Sequence, residues 1–223
     1  MKLLLDTANI DQIRLFMQST MLAGVTTNPS LMAKESKGDY VEKLKTIAEA
    51  VQNQLSARHL SVEVTTLDPN VMIVEAQTLN DALGRNGVDV HIKIPVMMET
   101  MRVISTLRRK DVKVNATACM TAFQAKMAMD AGANIVSFFY NRIKDENESP
   151  DSVLTLFNQI RVNLEQTKII CGSIREPDDV RRCFLQGADY VTVSPAILQK
   201  MIEHPQTTKA IAQFQKDIDS WLS

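Results

Sequence analysis

Lys93 stands at the centre of the apolar run Val90-His91-Ile92-Lys93-Ile94-Pro95-Val96, which has the length and β-branched content of a buried parallel strand. An ammonium in such a place must snorkel to water from a strand end or find a partner, because burying the charge alone is costly. Desolvation favours the neutral amine, the form that attacks a carbonyl carbon to make a Schiff base. A Schiff-base lysine needs an acid–base group beside it to lose water and regain it. Aldol cleavage needs a second base, for the hydroxyl proton beyond the breaking bond. Asp6 and Glu63, each near the end of its own apolar run, are the candidates for those two roles. Thr26, Asn28, Asn115, Thr117, Ser137 and Ser173 offer the neutral hydroxyl and amide groups that suit a polyhydroxylated sugar. Arg142 and Arg175 suit a terminal phosphate through bidentate contacts.

These residues are useful together only if the fold gathers them. Short apolar runs alternate with amphipathic segments from end to end. The pattern predicts strands over 2–6, 22–27, 60–65, 90–95, 112–117, 134–139, 167–172 and 189–194. It predicts helices over 9–18, 39–56, 69–84, 98–109, 121–130, 151–164 and 177–186, with a final pair over 195–202 and 207–221. Eight strands, each followed by a helix, specify a (β/α)8 TIM barrel with a C-terminal helical extension rather than an open doubly wound sheet. Gly24, Gly132 and Gly187 are read as helix-to-strand turns, and Pro177-Asp178-Asp179 as a helix start. The charged stretch from Lys144 to Pro150 reads as a solvated loop after the sixth strand. No composition break divides the chain, so residues 1–223 are expected to form one barrel domain. In such a barrel the chemistry sits at the C-terminal strand ends. Each predicted strand delivers a polar group there, ending with Ser194 on the eighth.

Composition narrows the partners. Twenty-five basic residues against 26 acidic ones give a net charge of −1, which argues against nucleic acid and against a polybasic membrane-surface protein. No apolar stretch approaches a membrane span, and Asp6 interrupts the N-terminal apolar run too early for a signal peptide. Cys119, Cys171 and Cys183 have no metal-ligand spacing and read as buried free thiols, which fits a reducing cytoplasm. His59, His91 and His204 are scattered, so neither a metal nor another cofactor is expected.

Three blocks carry a resemblance: Leu5-Asp6-Thr7-Ala8-Asn9, Ala23-Gly24-Val25-Thr26-Thr27-Asn28-Pro29-Ser30-Leu31 and Ile92-Lys93-Ile94-Pro95. They closely resemble the small transaldolase and fructose-6-phosphate aldolase family, and the likeness extends over essentially the whole chain. It implies a metal-free class I mechanism with Lys93 as the Schiff-base residue. Asp6 is then expected to act on the C4 hydroxyl, and Glu63 with Thr117 to hold the water used in dehydration. Glu63, Asn115, Ser137 and Phe139 are similar to the transaldolase branch; the aldolase branch has a tyrosine in place of Phe139. The resemblance implies transfer of a dihydroxyacetone unit from a ketose phosphate to an aldose phosphate. The alternatives are a dihydroxyacetone aldolase and a transaldolase for a ketose with another terminal anion. It also implies a homo-oligomer, since similar short chains form rings of five, often stacked as decamers. One departure stands out: family members resemble Ser-Pro-Phe-x-Gly-Arg where this chain reads Ser137-Phe138-Phe139-Tyr140-Asn141-Arg142.

Overall fold

The computed structural model describes residues 2–18, 21–52, 58–84, 87–161 and 167–223. Its strands are β1 (Lys2–Asp6), β2 (Leu22–Thr26), β3 (His59–Glu63), β4 (Asp89–Pro95), β5 (Val114–Cys119), β6 (Ile135–Phe139), β7 (Lys168–Gly172) and β8 (Tyr190–Val193). They pair in parallel in chain order, and β8 closes on β1 through Leu3–Val191 and Leu5–Val193. The outer helices are α1 (Ile10–Met17), α2 (Pro29–Met32), α3 (Tyr40–Gln52), α4 (Pro69–Leu83), α5 (Met101–Arg109), α6 (Ala122–Asp130), α7 (Tyr140–Asp145), α8 (Pro150–Arg161), α9 (Pro177–Leu185), α10 (Pro195–Ile202) and α11 (Pro205–Leu222). This is the expected TIM barrel. The far ends of the helices expected over 39–56 and 151–164 fall partly outside the described residues.

The strands alternate, and the two faces carry different work. Outward residues such as Leu5, Val62, Ile92, Ile94, Ala116, Phe138 and Val193 are buried under the helices in one continuous apolar layer. Removing each large aliphatic side chain from water contributes about 1.5–3 kcal/mol. Phe138, which stands where the family pattern has proline, packs edge-on against Phe157 of α8 at 5.6 Å between ring centres. Inside the barrel only a small apolar cluster forms, from Leu4, Ile135 and Ile170. Ala23 and Tyr190 pack against it, and most of the other inward residues among those described are polar.

Several local expectations change. Gly24 lies within β2 rather than at the turn before it, because a Cβ there would sit 2.0 Å from the carbonyl oxygen of His59 on β3. Lys144 and Asp145 finish helix α7 rather than starting a loop: Tyr140 and Ile143 give that helix a buried face. Asn9 caps α1, its side chain accepting the Gln12 N–H. Ser194 caps α10 by accepting the Ile197 N–H. The fifth strand ends at Cys119, and its register against β6 shifts between Ala116 and Cys119, where Ala118 takes a left-handed φ of 63°. No helix among the described residues is long and apolar enough to cross a membrane, and Cys119, Cys171 and Cys183 are free and buried.

Candidate active site

The C-terminal strand ends enclose a pocket of about 170 Å³, smaller than the roughly 300–1,000 Å³ of clefts that hold drug-sized ligands. Ten of the twelve residues singled out in the sequence line it: Asp6, Thr26, Asn28, Lys93, Asn115, Thr117, Ser137, Phe139, Arg142 and Ser173. Ile170, Gly172 and Thr192 complete the wall. Sequence reasoning passed over Thr192, although its position on β8, one register step inward from the strand end, is readable from period-two alternation.

Lys93 enters from β4 and is 6% exposed. Its Nζ lies 2.9 Å from Glu63 Oε2 and donates to the Thr27 carbonyl oxygen at 3.0 Å. Glu63 is its register partner on β3. The burial of the ammonium is therefore compensated by a paired charge and a hydrogen bond, as a buried ion must be. The Tyr40 hydroxyl donates to the Glu63 carbonyl oxygen at 2.6 Å and holds that strand end.

Asp6 enters from β1. Thr26 donates its hydroxyl proton to Asp6 Oδ1 at 2.7 Å and lies 2.6 Å from the Thr192 hydroxyl. With the Thr26 proton committed to the carboxylate, Thr192 is the donor to Thr26. Burial pushes the Asp6 carboxyl above the ordinary aspartate range; the positive charge of Lys93 opposes this, followed by the Thr26 hydrogen bond. Thr117 Oγ1 is buried without a protein partner and faces the same pocket. A buried hydroxyl in that condition suits a bound water or a substrate oxygen. Next to it, Ala118 holds a conformation that costs an L-residue about 1–2 kcal/mol, and Ser173 on the pocket rim has a φ of 59°. Cys119 offers no competing nucleophile: burial raises its thiol to about 12.

The two arginines part company. Arg142 sits on α7 with its guanidinium 4.8 Å from the centre of the Phe139 ring, at the pocket wall. Arg175 is turned to the surface and grips Asp145 with both nitrogens, one of them at 2.7 Å. It does not line the pocket. Asn141, where the family pattern has glycine, explains how α7 is held. Its Nδ2 donates to the Ser173 carbonyl oxygen at 2.8 Å and to buried Asp179 Oδ2 at 2.7 Å. That carboxylate oxygen also accepts the Arg175 and Glu176 backbone N–H groups. Tyr140 points away from the pocket and donates to Asp151 Oδ1 at 2.6 Å.

At the opposite, N-terminal end of the barrel two of the three histidines, His59 and His91, come together with Asp89, which corrects the expectation of no such cluster. Ligand atoms of His59, Asp89 and His91 lie within 4.8 Å of one another. The set is poorly built for a metal. The two imidazoles are stacked at 4.7 Å with planes 23° apart, so their in-plane lone pairs do not converge. Asp89 Oδ1 is already paired with Lys113 Nζ at 2.6 Å.

The sequence pattern of a family described as "Transaldolase/Fructose-6-phosphate aldolase" matches residues 3–222. A protein of Clostridioides difficile named "Probable transaldolase" is 38% identical over 218 residues, covering 97% of this chain and 96% of that protein. Another of that name from a Thermoanaerobacter species is 37% identical over 221 residues, covering 97% and 96%. A solved structure described as "Native KDPGal structure" superposes with a TM-score of 0.56 at 16% identity, over 86% of this chain and 80% of that one; this likeness concerns the fold.

Proposed function

We propose that this chain, which belongs to the transaldolase/fructose-6-phosphate aldolase family, is a class I transaldolase that moves a dihydroxyacetone unit from a ketose phosphate to an aldose phosphate. The observation that carries the reading is the buried amine of Lys93, 2.9 Å from Glu63, in a pocket that Asp6 also lines. In this reading Glu63 takes a proton from the Lys93 ammonium, and the freed amine adds to the ketose carbonyl. The carbinolamine loses water, with Glu63 returning the proton and Thr117 holding the departing molecule, to give an iminium ion. Asp6 then removes the proton of the C4 hydroxyl. The C3–C4 bond breaks, its electron pair passes to the iminium, and an aldose phosphate leaves behind an enamine. The enamine attacks the carbonyl of the acceptor aldose, Asp6 protonates the new alkoxide, and hydrolysis frees the product ketose and Lys93.

The surroundings support each part. Asn28, Asn115, Ser137, Ser173 and Thr26 supply uncharged hydrogen-bonding groups for the sugar hydroxyls. Arg142, which forms no ion pair among the described residues, is the group for the terminal phosphate; Arg175 has a secondary, structural part through Asp145. Phe139 brings an apolar edge where a phenol would handle protons, which favours an enamine that waits for its acceptor over one that is hydrolysed.

The same reading takes the protein as a cytoplasmic homo-oligomer. Helix α11 has no buried residue along its 18 positions, and Ile211, Phe214, Ile218 and Trp221 form an exposed apolar stripe on it. An exposed apolar stripe of this kind supports an association surface on that helix. The test of the activity is borohydride trapping with a ketose phosphate, followed by peptide mass mapping and a matrix of donor and acceptor sugars. A reducible adduct on Lys93 and product formation that depends on an acceptor are expected. Absence of an adduct, or turnover without any acceptor, refutes the transaldolase assignment.

A further inference from the structure

A polar chain runs inside the barrel from its floor to the pocket wall. His59 Nε2 lies 2.8 Å from Ser61 Oγ, Asn115 Nδ2 donates to Ser61 Oγ at 3.1 Å, and Ser137 donates to Asn115 Oδ1 at 2.6 Å. All four side chains are buried, and only Asn115 and Ser137 reach the pocket. Ser61 has one proton to give. It accepts from Asn115; with His59 as its other side-chain partner among the described residues, the tautomer that satisfies both contacts takes the Ser61 proton at Nε2 and carries its own on Nδ1. His59 is kept neutral for this, lowered to about 3 by burial and by the neighbouring His91. Stacking against His91 at 4.7 Å and Tyr190 at 5.6 Å fixes its ring.

The direction of every bond in the chain then follows from one end. An acceptor at His59 Nε2 makes Ser61 a donor toward the floor and an acceptor toward Asn115. The Asn115 amide must therefore present Nδ2 to Ser61 and Oδ1 to Ser137. Ser137 spends its proton on that oxygen and faces the pocket with lone pairs, while Asn115 keeps one free N–H for it. If Ser61 loses its acceptor, its hydroxyl turns to donate to Asn115, the amide reverses, and the pocket wall exchanges its donor and acceptor.

We propose that His59 and Ser61 are positioning residues that, from the barrel floor, set the donor–acceptor pattern with which Asn115 and Ser137 bind a substrate hydroxyl. The assignment rests on the Schiff-base reading above, since the ketone must be held beside Lys93 for that hydroxyl to meet the wall. It makes specificity for a hydroxylated ketone depend on a residue that never touches it.

The test compares two ketones in wild type, Ser61→Ala and His59→Phe. The phenylalanine keeps a ring for stacking and removes the acceptor along with the other ring nitrogen. Adduct formed on Lys93 is trapped with borohydride across a concentration series of dihydroxyacetone and of acetone, which has no hydroxyl. Thermal unfolding is followed in parallel. Each variant is expected to need about tenfold more dihydroxyacetone for half-maximal trapping, the loss of one good hydrogen bond, with the acetone curve unmoved. Equal shifts for both ketones, whatever the change in melting temperature, assign the residues to the fold and overturn the proposal. Unchanged curves overturn it as well. Wild-type protein that traps neither ketone removes the Schiff-base reading and this one with it. Adducts with an unaltered preference remove this one alone. Should one variant fail to fold, the other decides.

Discussion

Lys93 Nζ and Glu63 Oε2 meet at 2.9 Å across adjacent parallel strands whose Cα atoms are in register. The contact is direct. A carboxylate at that distance can take the ammonium proton itself, so in the proposed mechanism the pair both compensates a buried charge and prepares a nucleophile. Lys93→Ala is expected to abolish the trapped adduct and to lower turnover by roughly three orders of magnitude or more, as deletion of a nucleophile does. Glu63→Gln keeps the shape of the side chain and removes the base. It should slow adduct formation in single-turnover experiments while leaving Lys93 the modified residue. Adduct formation at the wild-type rate in Glu63→Gln would contradict the assignment of the base.

The second carboxylate makes a prediction about pH. Burial raises Asp6 above the ordinary aspartate range, with Lys93 opposing the effect. In the interval between its unfolded and folded values the native state holds the proton and the unfolded state does not, so stability falls as pH rises through that interval. Charged Asp6 is therefore a cost at neutral pH, offset in the proposed mechanism by its part in the chemistry. Asp6→Asn should melt at a higher temperature than wild type at pH 7, with the difference shrinking as pH falls below the ordinary aspartate range. The same variant should accumulate a ketose adduct yet fail to split it. Thermal melts across pH and trapping with a ketose phosphate check both statements; a variant that melts lower at pH 7 contradicts the first.

For the anion, the structure separates two residues that the sequence paired. Arg142 lies at the pocket over Phe139, and Arg175 is spent on Asp145 at the surface. Arg142→Ala is expected to cost about 1.5–3 kcal/mol in kcat/KM for phosphorylated substrates, the size of a charge-assisted hydrogen bond. It should cost little with a neutral ketose. Arg175→Ala, whose partner is an exposed carboxylate, is expected to stay within about twofold of wild type on both. Kinetics with fructose 6-phosphate and with fructose distinguish the two positions.

What the sequence disclosed, and what it hid, follows one rule. The barrel was legible because each strand buries its outer face under a helix, and apolar residues bounded by turns reveal that without any neighbour being known. Lys93, Asp6 and Glu63 were legible because an ion in such a run demands an explanation. The polar interior was harder to see. Read as one apolar run, Val90 to Val96 makes Lys93 look solitary; read in steps of two, Asp89, His91 and Lys93 share a face, as do His59, Ser61 and Glu63 on the next strand. Register then stacks the two rows, a fact held by strand pairing and not by either segment alone. Arg175 was misplaced for a different reason: its backbone is at a strand end, but Asp145, brought near by a helix that the charged composition masked, captures the side chain.

Helix α11 supplies a prediction about assembly. Its exposed stripe of Ile211, Phe214, Ile218 and Trp221 is proposed to pack on another copy of the chain. Phe214→Glu combined with Trp221→Glu puts two charges into that surface and should shift the sedimenting species toward monomer. The barrel itself should keep its far-ultraviolet dichroism. An assembly of unchanged mass would place the interface elsewhere.

The branch of the family turns on Phe139. Its ring lines the pocket and carries the Arg142 guanidinium on one face, and a phenyl ring brings no hydroxyl proton to this position. The nearest phenol in sequence, Tyr140, cannot stand in for one: its hydroxyl is engaged with Asp151 at 2.6 Å on the outside of the barrel. Burial and the Asp151 carboxylate further hold that phenol in its neutral form. An enamine on Lys93 should therefore persist until an aldose phosphate enters. Phe139→Tyr restores a hydroxyl at the pocket edge and is expected to raise the release of free dihydroxyacetone from fructose 6-phosphate while lowering transfer to the acceptor. Coupled assays for dihydroxyacetone and for the product ketose, run on the same preparations, read both rates. Wild-type protein that releases dihydroxyacetone faster than it transfers it belongs with the aldolases, and the enamine is then protonated by a group other than Phe139 or Tyr140.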